Sequence, residues 1–438
     1  MTARDVAAFA AATRWQDLPD SVHSGTETAF NDTLGCLLAG TRSVSFAAAY
    51  RAIAADGPAC ASMRAFAFAT AAAAMDFDDG HYEGGGIHPG STVLSALLAV
   101  SSGGETREDM LTALVVGYEV AIRAGFLLMP RTSGAPYRTS GAASVLGAAA
   151  AVARYRGGGE DTIWRAIRIA AAHGPIATLQ LPMVKESIGW AAASAVVAAA
   201  LAQAGFGQGA VEAPPILGIP ATPFDTAEAT WPFAQGLGTA WLSLDTYIKP
   251  YPCCRAIHAA LHAVETILAQ EGWIGATVAH VAVEVMPGLE TLAYLPPASA
   301  DHAQFSFPFA IGCLLATGAV KPENFLPAGL ADPAILAAGR RVVLIPSPEI
   351  KPLAADRSYP AAVTVHAAGR ARRLRIDDAP GSVRLALDRD PIARKFLANA
   401  ALAGLSAPEA RRLAAQTPAA IAAALNAFLP FPQQEHTS

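Results

Sequence analysis

The sequence predicts a mainly α-helical protein with a large all-α domain and a smaller α+β segment. Long alanine-rich stretches with apolar residues at helical spacing, such as Phe30, Leu34 and Leu37–Leu38, dominate the N-terminal half. Short β-branched, alternating segments are found instead between residues 277 and 376. A chain of 438 residues is long enough for two domains.

Three segments of this second region carry the pattern of strands. Residues 277–286 alternate between apolar and other side chains, residues 341–345 repeat the pattern, and residues 361–376 predict a hairpin that turns at Ala368-Gly369. Residues 395–428 return to a helical pattern. We therefore assign residues 1–255 and 395–438 to an all-α domain, interrupted by an α+β domain of residues 256–394.

Composition narrows the class of protein. The formal net charge is -5 and no basic run is present, so we expect no nucleic-acid partner. Apolar stretches such as residues 191–204 are too short or too weakly apolar for a membrane span. The five cysteines include no CxxC pair, and residues 1–19 lack the apolar core of a secretory signal. We expect a cytoplasmic protein with no disulfide framework and no membrane partner.

The stretch from Met75 to Val93 concentrates the polar chemistry. It reads MDFDDGHYEGGGIHPGSTV and lies between two alanine-rich or apolar segments that are typical of buried helices. Carboxylates and imidazoles are costly to bury without partners, so their density there indicates a wall of an active site rather than an ordinary solvated loop. Asp76, Gly80, His81 and His88 are the candidates in this stretch.

Two further polar clusters each precede a helix. Tyr137 and Arg138 lie just before a helix of small residues, where free amide donors beside an arginine suit a carboxylate, although a plain capped helix start is equally compatible. Lys185 opens another alanine-rich helix, where it either reaches solvent or points inward as a cation or base.

The last cluster runs from Lys249 to Cys254, which two prolines hold extended. The helix that follows carries His258 and His262 four residues apart, a spacing found in metal sites. No HExxH pattern or third ligand accompanies them, so we expect no metal site.

Read together, five ordered motifs resemble the MmgE/PrpD family, which includes 2-methylcitrate dehydratase, cis-aconitate decarboxylase and iminodisuccinate epimerase. The resemblance spans nearly the whole chain. It implies a helical domain, an α+β lid domain, a homodimer, and no metal or organic cofactor. The motifs are FNDTLGCLLAG near residue 30, MDFDDGH with IHPGS at 75–91, MVKESIGWAAASA at 183–195, KPYPCCRAIHAA at 249–260 and AQFSFPFAIGCLL at 303–315.

The resemblance assigns roles residue by residue. Asp76 and His88 match the acidic and HP positions, Lys185 matches the lysine of an MxK motif, and Lys249 opens a KxxP motif. Three positions depart from the pattern of the lyases in the family. Gly80 stands where the decarboxylase and dehydratase members typically have a Thr or similar group, and Arg138 aligns where they tend to have a histidine. Cys254 stands where the decarboxylase has a histidine.

The expected chemistry is proton transfer at a carbon next to a carboxylate of a small di- or tricarboxylate. His88 is the leading acid–base residue, tuned by Asp76, with Lys185, Tyr137 and Cys254 as further catalytic candidates. Lys249, Arg138, Gly80 and His81 are expected at the substrate. The two missing histidines favour an isomerase or epimerase. A dehydratase or decarboxylase remains an alternative, as does a silent carboxylate-binding dimer.

Overall fold

The computed structural model describes residues 2–54, 60–132, 139–173, 184–207, 236–352 and 358–428. The described residues are mainly helical, with one small four-stranded sheet, which confirms the predicted mainly α fold. The helices are α1 Ala3–Ala12, α2 Asp20–Gly40, α3 Val44–Ala54, α4 Ala61–Ala74, α5 Pro89–Val100, α6 Arg107–Thr132, α7 Thr139–Tyr155, α8 Glu160–His173, α9 Val184–Gln203, α10 His258–Glu271, α11 Ala300–Gln304, α12 Phe307–Thr317, α13 Pro327–Leu330, α14 Pro333–Gly339, α15 Arg389–Leu402, α16 Ala407–Ala414 and α17 Pro418–Phe428. The strands are β1 Val278–Val285, β2 Val342–Pro346, β3 Ala361–Ala367 and β4 Arg370–Ile376.

The chain divides into two compact units. The first comprises residues 1–74, 78–246 and 389–438, and the second comprises residues 75–77 and 247–388. The sequence placed the change at residue 256, whereas the second unit already includes residue 247. Backbone hydrogen bonds explain this, because Ile248 donates to Gly381 and Cys254 donates to Gln304, both within the second unit.

The first unit is a set of helices packed through small side chains. All residues of α5 are buried. Helix α7 packs closely against α6 and α9, and α5 packs against α6, α7 and α9. Gly147 of α7 shows why the spacing is short. A Cβ atom there would lie 2.2 Å from the carbonyl oxygen of Gly117 on α6, so only glycine allows the two backbones to approach this closely.

Helix α6 contains an apolar stretch, Arg107–Leu128, that is long enough to cross a membrane by length and composition alone. In the structure 89% of its most apolar window is buried inside the protein. That burial is consistent with the core helix of a soluble protein.

The second unit contains a four-stranded sheet in the order β2-β1-β3-β4. Strands β1 and β2 are parallel, and the other two pairs are antiparallel. Strands β3 and β4 form the predicted hairpin, and Ala368 and Gly369 both have positive φ at its turn. Apolar side chains of β1 and β3 join α10 and α12 in a separate core.

The contact between α6 and α7 can be tested by replacing Gly147 with Ala. We expect Gly147→Ala to lower stability by about 1–3 kcal/mol or more, because the added methyl group must push two helix backbones apart. Gly159→Ala is the control, since a Cβ atom there meets nothing within 4 Å. Chemical unfolding of both variants checks this. Equal stability of the two variants would contradict the described packing.

Candidate active site

His88 is held at the N-terminal end of α5. It occupies the N-cap position, directly before Pro89, but its side chain makes no capping hydrogen bond. Instead its Nδ1 lies 2.7 Å from the backbone carbonyl oxygen of Asp79. A carbonyl oxygen can only accept, so Nδ1 carries the proton of this bond and Nε2 is the basic nitrogen of the neutral ring. The ring is therefore prepared to act as a base through Nε2.

The carboxylate beside His88 belongs to Asp78. Its Oδ2 lies 3.3 Å from His88 Nδ1 and accepts a hydrogen bond of 2.6 Å from the Ser91 hydroxyl, in the first turn of α5. Asp78 is almost completely buried. A carboxylate in this place stabilises the imidazolium form of His88 and fixes the ring orientation. Motif position predicts this tuning role for Asp76, whereas Asp78 is the acid that lies beside the ring.

Asp79 joins the same helix terminus through its own side chain. Its Oδ1 accepts a hydrogen bond of 3.1 Å from the Gly90 amide, and its Oδ2 accepts a short hydrogen bond from the Tyr118 hydroxyl. Burial raises the pKa of Asp79 to about 7, and the neighbouring carboxylates of Asp78 and Asp32 add to the rise. Asp79 therefore titrates near neutral pH.

A buried ion pair completes this cluster. Lys395 Nζ of α15 lies 2.7 Å from Asp32 Oδ1 of α2, and both side chains are buried. Burial alone would lower the pKa of Lys395, but the neighbouring groups Asp32, Cys36 and Asp78 together outweigh it and the pKa is raised. Sequence patterns do not pair Lys395 with Asp32, because 363 residues separate the two.

Asp76 and Lys249 form a separate ion pair in the second unit. Lys249 Nζ donates to the Asp76 carbonyl oxygen at 2.9 Å and to Oδ1 at 3.0 Å, which uses two of its three N–H donors. Lys249 is 1% exposed. Asp76 has a φ of 47°, a left-handed conformation that aspartate tolerates better than most residues. The two contacts with Lys249 hold this conformation in place.

Cys254 is half-buried, and its amide donates to the Gln304 carbonyl oxygen at 2.9 Å. Its neighbour Cys253 is fully buried, and burial raises the pKa of that thiol well above its usual value. A buried thiol of this kind is inert filler. Cys254 thus remains the candidate of the two.

His81 is held by two bonds within the protein. Its Nε2 donates to the Leu242 carbonyl oxygen at 3.1 Å and its Nδ1 accepts from the Gly84 amide at 3.0 Å. Burial lowers the pKa of His81 to about 4. A neutral ring with both nitrogens engaged stabilises the loop, which argues against its predicted contact with substrate.

The other two histidines of interest lie on α10. His258 Nε2 lies 3.1 Å from the Cys253 carbonyl oxygen, and its Nδ1 lies 3.1 Å from Arg255 Nη1. Burial lowers the pKa of His262. Within the described ranges no three metal-ligating side chains come together around either ring.

The remaining predicted site residues are less fully placed. Gly80 is buried in the loop before α5, and Lys185 lies in the first turn of α9, with its side chain outside the described part of the structure. Tyr137 and Arg138 lie outside the described residues. Their predicted roles stay predictions.

An open cleft of about 880 Å³ lies elsewhere in the first unit, along α2, α15 and α16. Its lining mixes cations such as Arg389 and Arg411 with acids such as Asp20 and Glu27. Among the described residues, none of the predicted site residues lines it. We therefore place the candidate active site at His88 and not in this cleft.

A helical fold that presents a carboxylate-supported histidine at a helix terminus suits acid–base chemistry on a small molecule. Two family models match the chain: the MmgE/PrpD N-terminal domain over residues 4–213 and the MmgE/PrpD C-terminal domain over residues 251–418. The chain therefore belongs to the MmgE/PrpD family, as the motifs indicated. Members are generally enzymes, and membership indicates dehydratase- or isomerase-type activity on carboxylates. A search among curated proteins found no match.

The ion pair of Asp76 and Lys249 can be tested by removing its cation. We expect Lys249→Met to lower stability by about 3–5 kcal/mol, because the Asp76 carboxylate stays buried without its partner. The double variant Asp76→Asn/Lys249→Met should recover a large part of this loss, as measured by chemical unfolding.

The half-exposed pair of Arg373 and Glu284 provides the control. Arg373→Met should change stability by less than about 1 kcal/mol, since exposed ion pairs contribute little. A double variant of Asp76 and Lys249 no more stable than Lys249→Met would show that the buried charge is not the cause.

The raised pKa of Asp79 predicts a pH dependence of stability. Its value of about 7 in the folded state exceeds the ordinary value of 3.8, so between these values the folded protein holds a proton that the unfolded chain releases. Stability therefore falls as pH rises through this window. Asp79→Asn mimics the neutral acid and should flatten this fall. Unfolding midpoints from pH 5 to 8 for both proteins check this, and parallel curves would contradict it.

Proposed function

We propose that this protein catalyses cofactor-independent proton abstraction and return at a carbon next to a carboxylate, as an isomerase or epimerase of a small di- or tricarboxylate. The observation that carries the proposal is the environment of His88. The Asp79 carbonyl oxygen fixes the proton on Nδ1, and the Asp78 carboxylate lies 3.3 Å from the same nitrogen. This arrangement makes Nε2 the site of proton uptake.

The reaction needs a base and nearby cations. A proton on a carbon next to a carboxylate is weakly acidic, and its removal places charge on the carboxylate oxygens. His88 Nε2 takes this proton, and Asp78 stabilises the resulting imidazolium. Lys185 and Arg138 are the cations proposed to bind the substrate carboxylates, and the bidentate geometry of arginine suits that task. Lys249 is a weaker candidate for binding a substrate carboxylate, since it already forms an ion pair with Asp76.

The preference for an epimerase rests on residues 138 and 254. An epimerase needs an acid and a base on opposite faces of one carbon, and Tyr137, Lys185 and Cys254 are the candidates that the sequence predicts for the group that acts with His88. By the family resemblance, the decarboxylase and dehydratase members tend to have a histidine where this chain has Arg138, and the decarboxylase has one where it has Cys254, so two proton donors for a leaving group are missing. A homodimer in the cytoplasm belongs to the same proposal.

The alternative is a lyase, and one observation favours it. Asp78 stabilises the protonated form of His88, and a protonated imidazole is also an acid that can protonate a departing hydroxide. The position of a new proton or double bond in the product separates the two reactions.

Replacement of His88 tests the proposal. Proton NMR in heavy water would follow a panel of aspartate-derived dicarboxylates, citrate analogues and cis-aconitate. The wild type should exchange a proton next to a carboxylate. His88→Gln should slow this exchange by at least about 100-fold, because general acid–base catalysis contributes on this scale or more. New vinyl signals would identify the lyase instead.

The control is His262→Gln, which changes a half-buried histidine of the second unit. It should keep wild-type exchange. Wild-type rates in a folded His88→Gln protein would overturn the role of His88. A folded wild type that exchanges nothing in the panel would favour the silent carboxylate-binding dimer.

A further inference from the structure

Asp79 contacts the first turn of α5 at two points. Its backbone carbonyl oxygen accepts a hydrogen bond from His88 Nδ1, and its carboxyl group accepts a hydrogen bond from the amide of Gly90, two residues after His88. The residue thus holds both the imidazole and the helix terminus that carries it. A change in the position or charge of the Asp79 carboxyl group therefore directly alters the environment of the His88 imidazole.

Tyr118 holds that carboxyl group from α6. Its hydroxyl donates to Asp79 Oδ2, and both groups are fully buried. Gly90 shows how tightly they are packed. A Cβ atom on Gly90 would lie 2.4 Å from the Tyr118 hydroxyl oxygen, 2.4 Å from Thr33 Oγ1 and 2.8 Å from Asp79 Oδ1. Glycine at this position lets the tyrosine, the acid and the helix terminus meet.

The charges around Asp79 come from several elements. Asp78 and His88 belong to the same loop and helix terminus, Asp32 and Cys36 lie on α2, Tyr118 lies on α6, and Lys395 lies on α15. Lys395 pairs with Asp32, and Asp78 accepts from Ser91. Protonated His88 is the cation that favours an ionised Asp79. By reciprocity, ionised Asp79 favours the proton on His88.

We propose that Asp79 and Tyr118 are positioning residues that set the orientation and the basicity of His88. Tyr118 stabilises the ionised carboxyl group, and that charge stabilises the imidazolium that forms when His88 takes a proton. The consequence for catalysis rests on the proposed function, in which His88 is the acid–base residue. The effect on the orientation and basicity of His88 does not depend on the proposed function.

The test measures the basicity of His88 without any substrate. Hydrogen–deuterium exchange at the Cε1 position of each histidine, followed by mass spectrometry over a pH series, gives a pKa for every histidine of the intact protein. Asp79→Asn removes the charge and should lower the pKa of His88 by about 1 or more. Tyr118→Phe removes one hydroxyl, leaves Asp79 able to ionise at higher pH, and should lower the pKa of His88 by less.

The second unit supplies a matched control. Tyr251 donates to the carboxyl group of Glu265, and burial raises the pKa of that acid too. Glu265→Gln and Tyr251→Phe should leave His88 unchanged. His81 is the internal reference, because its two bonds go to Leu242 and Gly84 and should be unaffected in every variant.

Each outcome decides the proposal. A lower pKa of His88 in Asp79→Asn and a smaller drop in Tyr118→Phe, with His81 constant, support it. An unchanged His88 in either variant overturns it, and a parallel change in His81 overturns it as a general loss of structure. Should Asp79→Asn fail to fold, Tyr118→Phe alone decides. The proposed function and this inference can fail separately. If His88→Gln loses proton exchange but the pKa of His88 is unchanged in these variants, the proposed function is kept and this inference is rejected. If His88→Gln keeps proton exchange but the pKa of His88 falls in these variants, this inference is kept and the proposed function is rejected.

Discussion

The first unit depends on the burial of three carboxyl groups around the start of α5. Asp32, Asp78 and Asp79 lie in the interior of the helical unit, where an uncompensated charge is strongly unfavourable. Each is compensated differently: Asp32 by Lys395, Asp78 by Ser91 and His88, and Asp79 by Tyr118 and the Gly90 amide. These bonds tie α2 to α15, and they tie the start of α5 to α6. Asp78 and Asp79 also orient His88, so the burial of these two acids and the geometry of the histidine share one cause.

Close helix packing makes this cluster possible. Gly90, Gly117 and Gly147 each lie where a Cβ atom would come within about 2.4 Å of a neighbouring atom. The many alanines of the core act in the same way, since short side chains bring helix backbones together. Polar groups on neighbouring helices then lie within hydrogen-bond distance with little room for water. Burial, in turn, is the main reason why the pKa of Asp79 rises to about 7.

The second unit uses a different arrangement for its buried charges. Asp76 and Lys249 neutralise each other directly, and Asp76 adopts a positive φ in doing so. In the same unit Arg255 donates to the carbonyl oxygens of Ala379 and Pro380, which fixes the chain before α10. The KPYPCC stretch is thus stabilised by buried cations that bind acceptors inside the protein. This explains why its lysine, read from the sequence as a substrate ligand, is also a structural residue.

The sequence predicted the fold class, the strands and the family because these properties depend on local patterns. Helical spacing, alternation and ordered motifs need no knowledge of distant contacts, and the hairpin at Ala368-Gly369 was located from its turn residues. The loop from Met75 to Val93 was recognised by its density of acids and histidines. The contacts that its acids and histidines make were not predicted. Motif position pairs Asp76 with His88, whereas in the structure Asp78 lies beside His88 and Asp76 forms an ion pair with Lys249.

The sequence by itself therefore determined which residue types are available and which local structures they form. Only the tertiary structure decided which acid supports the histidine, which lysine compensates Asp32 and which histidine is already engaged by the protein. Tyr118 and Lys395 show the reason. Tyr118 lies on α6 and Lys395 on α15, and their effect arises from burial and from distances of about 3 Å or less, which folding alone sets.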